Sequence, residues 1–110
     1  VVIQNGYDVQ KFSKNSDLGH SFREEIKIAD DTFLIGHVSR YDPLKDQDTL
    51  VEALYILKKN RLDFTAVLIG KDLDNSNDDL VRKIKEKELS GNIHLLGVRD
   101  DIPVIMNGID

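Results

Sequence analysis

Three apolar runs, "TFLIGHV" at 32–38, "FTAVLIG" at 64–70 and "IHLLGV" at 93–98, recur at near-regular intervals along this chain. Each has the length of a strand and almost no polar residue to offer a solvated face, the mark of strands covered on both sides. The intervals between them have helical character. Residues 47–60 place Leu50, Ala53, Leu54 and Leu57 on one apolar stripe. Lys58, Lys59 and Arg61 gather at the end of that stretch, where cations complement a helix dipole. Ser76-Asn77-Asp78-Asp79 resembles a capping box that opens a second helix running to about Leu89, with Leu80, Val81 and Ile84 facing inward. A last short helix is expected from Asp101, its N-cap, with Pro103 in the first turn. Strand and helix alternating at this spacing predict a parallel sheet with right-handed crossovers, a doubly wound α/β architecture. Three such strands make half of a usual open sheet.

Ahead of this unit, "VVIQNGYD" reads as a short strand ending in an Asn5-Gly6 turn, and residues 17–28 as a short helix. The expected division is therefore 1–31, a lead-in strand and helix, and 32–110, a βαβαβα unit. Gly36 inside the first apolar run is expected to allow close backbone packing. The chain opens without Met on Val1-Val2-Ile3 and stops at Ile109-Asp110, where an alternating fold would begin another strand. Domain ends usually lie in exposed polar linkers, so the expectation is a piece of a longer protein.

Composition removes several classes of function. A net charge of −5 argues against a nucleic-acid surface, which needs a basic stripe. With no cysteine, disulfides, thiolate zinc sites and a cysteine nucleophile are excluded, in keeping with a cytoplasmic setting. Neither an 18-residue apolar run nor a signal peptide is present. His20, His37 and His94 are dispersed and show no metal-binding spacing; His37 and His94 fall within strand runs and read as packed or hydrogen-bonded side chains. The acidic pairs Asp30-Asp31, Asp78-Asp79 and Asp100-Asp101 sit at turns and helix starts and read as caps, not as an acid/base couple.

What remains is the stretch "IGHVSRYDPLKDQDTL", where Arg40 and Lys45 bracket a strand-to-helix turn in an otherwise acidic chain. In an open parallel sheet, ligands sit beyond the carboxyl ends of the strands, beside helix N-termini that favour anions. Arg40 can grip phosphate oxygens with a planar fork, and Lys45 adds a mobile point charge. Ser39 is small enough to let a ligand approach the backbone. On spacing alone a second reading stands beside this one: solvated cations paired with Asp42, Asp46 or Asp48, while Asp46 and Asp48 cap the helix and compete with any phosphate. Neither a dinucleotide fingerprint nor a P-loop is present.

The segments "VVIQNGYDVQKF", "FLIGHVSRYDPLKDQDTLVEAL", "AVLIGKDLDNSNDDL" and "NIHLLGVRDDIPVIMNGID" follow one another in the order and spacing of group 1 (family 4) glycosyltransferases. The chain most resembles the branch that builds bacterial capsule, O-antigen and other surface polysaccharides. That resemblance implies a partial Rossmann-like sheet, the first part of the C-terminal donor domain of a GT-B enzyme. It implies a retaining transferase that takes a sugar from a nucleotide-sugar donor to a glycan or lipid-linked acceptor held by a separate N-terminal domain. It further implies that Arg40 and Lys45 hold the donor diphosphate and neutralise the charge of the leaving nucleotide, with no metal or other cofactor required. Gly70, Val98 and Arg99 would border the nucleotide, while Arg99 reads equally as a solvated loop cation beside Asp100 and Asp101.

Two departures from the family pattern stand out. Asp46 follows the lysine where much of the family has Gly, and Gly70-Lys71-Asp72 replaces a G-x-G. The family's glutamate pair, which handles the sugar and ribose, would follow Asp110, so this segment is not expected to turn over alone. The resemblance also allows peripheral association of the whole protein with the inner face of the membrane. An unfinished sheet would leave an edge open to self-association. A non-catalytic module for nucleotides or sugar nucleotides predicts the same phosphate loop without the glutamates. A receiver-like signalling domain would need acidic residues where this chain has Ser39-Arg40.

Overall fold

In the computed structural model the described residues are 16–110; the expected opening strand and its Asn5-Gly6 turn lie outside them. The described chain runs α1 (Ser16–Glu25), β1 (Leu34–Val38), a 3-10 turn (Pro43–Lys45), α2 (Gln47–Lys59), β2 (Thr65–Ile69), α3 (Asp78–Glu86), β3 (Ile93–Gly97) and α4 (Ile102–Gly108). The three strands form one parallel sheet in the order β1-β2-β3. The α/β fold expected from the alternation is the one observed.

The central strand shows why. Ala66 and Leu68 pack with Val51 and Leu54 of α2 and Leu80 and Ile84 of α3. Val67 and Ile69 pack with Phe22 of α1 and Ile105 of α4. A strand sandwiched in this way has no face for water, hence its unbroken apolar run. The register of β1 on β2 is regular from Leu34 opposite Thr65 to Val38 opposite Ile69. Between β2 and β3 it slips after Leu68, so that Ile69 faces Gly97. That irregularity lies at the carboxyl edge of the sheet.

Several local expectations need correction. The buried stripe of α2 is centred on Val51 and Leu54; Leu50 and Leu57 flank it half-buried, and Ala53 is exposed. The helix is rotated so that Val51, not Ala53, meets the sheet. No capping box forms at α3. Asn77 is the cap, its side chain accepting from the Leu80 N–H at 3.1 Å, because the Ser76 hydroxyl donates to Asp74 instead. Asp101 stands at the N-cap of α4 without a side-chain cap bond, since its carboxylate is engaged by Arg99. Over Gly36 lies the Ile109 side chain, and an added Cβ would come within 2.8 Å of Ile109 Cδ1. What the glycine admits is therefore a side chain, not backbone.

Arg23 was not singled out by the sequence, yet it anchors the α1/α4 layer. Its buried guanidinium donates to the carbonyls of Gly108 (2.8 Å), Ala29 (2.9 Å) and Thr32 (2.8 Å), and pairs with Asp110 at 2.8 Å. Asp110 in turn accepts from the Leu34 N–H at 2.8 Å, which ties the layer to the start of β1. Among the described residues no helix is long and apolar enough to cross a membrane.

Candidate functional site

Past Val38 the chain leaves the sheet but stays beside the exit of β2. The Ser39 N–H donates to Ile69 O at 2.9 Å, and the Tyr41 N–H to Lys71 O at 2.8 Å. Gly70 makes this close passage feasible. Its φ is +142°, and a Cβ there would lie 1.8 Å from the Ser39 carbonyl oxygen, far inside contact distance. The Gly70 N–H then donates to Gly97 O at 2.8 Å, so the exits of all three strands are bonded to one another.

The turn that follows is held by its own acids. Asp42 accepts from the Leu44 N–H at 2.8 Å and starts the Pro43–Lys45 turn. Asp46 adopts a left-handed backbone, φ 52° and ψ 54°. Its carboxylate accepts from the Thr49 N–H at 3.2 Å and hydroxyl at 2.7 Å, which places a negative charge at the start of α2. The Asp46 half of the expected competition with phosphate is therefore present. Asp48 instead bonds Lys83 of α3 at 2.6 Å.

Arg40 and Lys45 stand at the two ends of this turn, both exposed. The Arg40 side chain is 65% exposed, and its Nε lies 3.2 Å from Asp42. Such a solvated pair contributes little and can be exchanged for a better anion. Lys45 is near enough to the end of β1 to act on His37. Burial first, and the Lys45 charge second, hold the His37 imidazole below its usual pKa.

Beneath the turn lies a residue that the sequence reading passed over. Gln47, the first residue of α2, is 3% exposed. Its Oε1 accepts from the Asp42 N–H at 3.2 Å, and its Nε2 donates to Arg40 O at 3.0 Å and Ser39 Oγ at 3.1 Å. His37 Nε2 is 2.8 Å from that Ser39 hydroxyl and 3.3 Å from Gln47 Nε2. His37 is thus hydrogen-bonded, as its place in a strand run suggested. The available signal for Gln47 was a polar residue at the first inward position of an otherwise apolar-faced helix.

Gly70 and Val98 also lie at the carboxyl edge, with Val98 76% exposed. Arg99 is placed differently from Arg40. Its fork donates to Asp101 at 2.8 and 2.6 Å and to Glu25 at 2.9 and 3.2 Å, and it lies over the Phe22 ring. Those carboxylates push its pKa up further. A recess of about 370 Å³ opens on the other flank of the turn, among Tyr41, Asp46, Asp48, Asp79 and Lys83. Neither Arg40 nor Lys45 lines it, and its carboxylates disfavour an anion.

The family described as "Glycosyl transferases group 1" matches residues 20–110. The chain belongs to that family. An Escherichia coli relative, UDP-Gal:alpha-D-GlcNAc-diphosphoundecaprenol alpha-1,3-galactosyltransferase, is 29% identical over 110 residues, which cover 99% of this chain and 28% of the relative. Among solved structures, Anabaena Alr3699/HepE in complex with UDP-glucose superposes with a TM-score of 0.83 at 31% identity, over all of this chain and 30% of that one. The same protein with UDP and glucose gives 0.84 at 29%. The chain thus spans under a third of the length of these similar proteins. The two positions marked as departures in the sequence now have a physical form. Asp46 (φ 52°) and Asp72 (φ 64°) both occupy the left-handed region that glycine enters freely. Aspartate is tolerated there because its short side chain bonds locally, as Asp46 does to Thr49.

Proposed function

We propose that this chain is the donor-binding part of a retaining, family 4 glycosyltransferase that acts in surface-polysaccharide synthesis at the cytoplasmic face of the membrane. The donor on this reading is a uridine diphosphate sugar, and the acceptor a glycan or lipid-linked sugar bound by another domain. One observation carries it: two exposed cations, Arg40 and Lys45, stand at the carboxyl edge of a parallel sheet, within a turn built by backbone bonds across three strand exits. The relatives' names support the substrate class.

As the bond between the sugar and the diphosphate breaks, negative charge grows on the leaving oxygen. Arg40 releases Asp42 and takes phosphate oxygens through its planar fork, while Lys45 follows the charge on its flexible stem. Cations brought to the developing charge stabilise a transition state more than a ground state, and they supply what a metal ion supplies in other transferases. Gly70 and Val98 border the nucleotide at the exits of β2 and β3. The sugar and acceptor steps need groups outside this segment, so it binds the donor without turning it over.

Titration of the chain with uridine diphosphate, followed by NMR shifts, tests this reading. Arg40→Ala and Lys45→Ala should each weaken binding about tenfold or more, and should cut sugar transfer by the full-length protein on the order of 100-fold or more. Unchanged binding together with wild-type turnover in both variants overturns it. Guanosine diphosphate binding in preference to uridine diphosphate would replace the assigned base and leave the diphosphate site standing.

A further inference from the structure

We propose that Gln47 is the positioning residue of the donor site, its carboxamide setting the direction in which Arg40 presents its guanidinium. This rests on the donor-binding role of Arg40 argued above. Gln47 and Arg23 are the buried polar or charged side chains of the described residues. Arg23 is accounted for by the α1/α4 layer that it ties to β1. Gln47 has no comparable packing duty, because an apolar residue of the same length would fill its place at the start of α2.

What the amide does is more specific than filling space. Its two ends bond Arg40 O at 3.0 Å and Asp42 N–H at 3.2 Å. Those are the two residues whose side chains pair above it, Arg40 Nε to Asp42 at 3.2 Å. A single planar group therefore fixes, from below, the backbone from which Arg40 projects its guanidinium, whether that side chain rests on Asp42 or has left it. The third bond, to Ser39 Oγ at 3.1 Å, joins the same amide to His37 and so to β1. The hydrogen bonds of the Gln47 side chain go to residues 37–42, so the group acts on the turn and not on its own helix. Removing it leaves the Asp42 N–H without its partner and the Arg40 carbonyl with the Ser39 hydroxyl alone, and the turn relaxes to compensate.

A purely structural glutamine and a positioning one differ in a double-mutant cycle. The measurement is uridine diphosphate affinity of the chain by NMR titration, beside its melting temperature. Gln47→Met keeps length and volume and should weaken binding about tenfold in the wild-type background. In the Arg40→Ala background the same change should alter affinity less than twofold, while with Lys45→Ala it should again cost about tenfold. An equal loss in all three backgrounds, or none in the first, overturns the inference while leaving the donor site intact. Should Gln47→Met fail to fold, Gln47→Glu serves. It keeps the acceptor for Asp42 N–H but sets an oxygen against Arg40 O, and the same Arg40-dependent loss is expected. If Arg40→Ala by itself leaves the affinity unchanged, Arg40 drops out of the donor site and this inference falls with it.

Discussion

The loops that leave β1 and β3 carry the same kind of residue to the same edge of the sheet and use it in opposite ways. After β1, Arg40 is 65% exposed and touches one carboxylate through Nε. After β3, Arg99 is 20% exposed, and its fork is closed by Glu25 and Asp101 over an aromatic ring. Position in the topology brought both guanidiniums to the carboxyl edge of the sheet; their neighbours decided which one is free to exchange partners. The difference also reaches the backbone. The β1 loop is held rigidly from beneath, by Gln47 and by the Gly70 passage, so that its cation can remain loose. The β3 loop is held by its cation.

The largest effect that would test this contrast comes from the glycine under each loop. Gly70→Ala drives a Cβ to 1.8 Å from the Ser39 carbonyl, in a backbone region that side chains avoid. Backbone must move, and the change should cost about 3 kcal/mol or more. At Gly97 (φ +68°) the nearest atom to an added Cβ would be Asp74 Cβ at 3.5 Å, an ordinary contact. Gly97→Ala then costs only the left-handed penalty, about 1 kcal/mol. Urea unfolding of the two variants is the check, and equal losses would remove the claim that the β1 loop has the tighter seat.

Next in size is the exchange of the arginines themselves. Arg99→Ala removes a half-enclosed fork with two exposed-side carboxylates, and should lower stability by about 1–2 kcal/mol, several degrees in melting temperature. Its effect on uridine diphosphate affinity should stay within about threefold. Arg40→Ala should do the reverse, losing affinity while melting within a degree or two of the parent, as expected for an exposed pair. If Arg99→Ala instead weakens the nucleotide as strongly as Arg40→Ala, its fork must swing away from Glu25 and Asp101 in the complex, and the two loops act alike.

The sheet and helix order were legible because buried parallel strands leave an unmistakable apolar signature, as in residues 64–70, and amphipathic helices of ordinary length lie between them. The pair of cations at a strand end was legible too, Arg40 and Lys45 standing at the two ends of an exposed turn as expected. Less visible was whatever depended on side-chain geometry between elements distant in sequence. The closure of Arg99 by Glu25 spans 74 residues, and no local pattern announces it. Ser76 and Asn77 are both good caps, and the choice between them turned on Asp74 claiming the serine. Gln47 escaped notice because a polar residue beside an N-cap is ordinary, and only its burial makes it unusual. The left-handed aspartates were half visible. Their positions stood out as replaced glycines, but the backbone shape they adopt had to be seen.

The smallest effect lies in pH, and it separates the two loops by window. His37, beneath the β1 loop, is held below its ordinary value of 6.5, first by burial and then by Lys45. The unfolded chain therefore takes up a proton there before the folded one does. The stability tied to a neutral His37 is complete above about pH 6.5 and declines as pH falls through the folded value. Asp101, on the β3 loop, is held below its ordinary 3.8 chiefly by Arg99, so its contribution is complete above about pH 3.8 and is lost only at lower pH. His20 has the opposite sign. Asp30 and Glu24 raise its pKa, so its contribution is present below about pH 6.5 and fades as pH rises through the folded value. Urea midpoints compared at pH 7 and pH 5 in a His20→Gln background should then report the β1 loop alone. The expected result is a lower midpoint at pH 5, a loss abolished by His37→Gln and reduced by Lys45→Ala, which removes the second cause of the shift. A pH response untouched by His37→Gln would mean that the imidazole is not coupled to the turn.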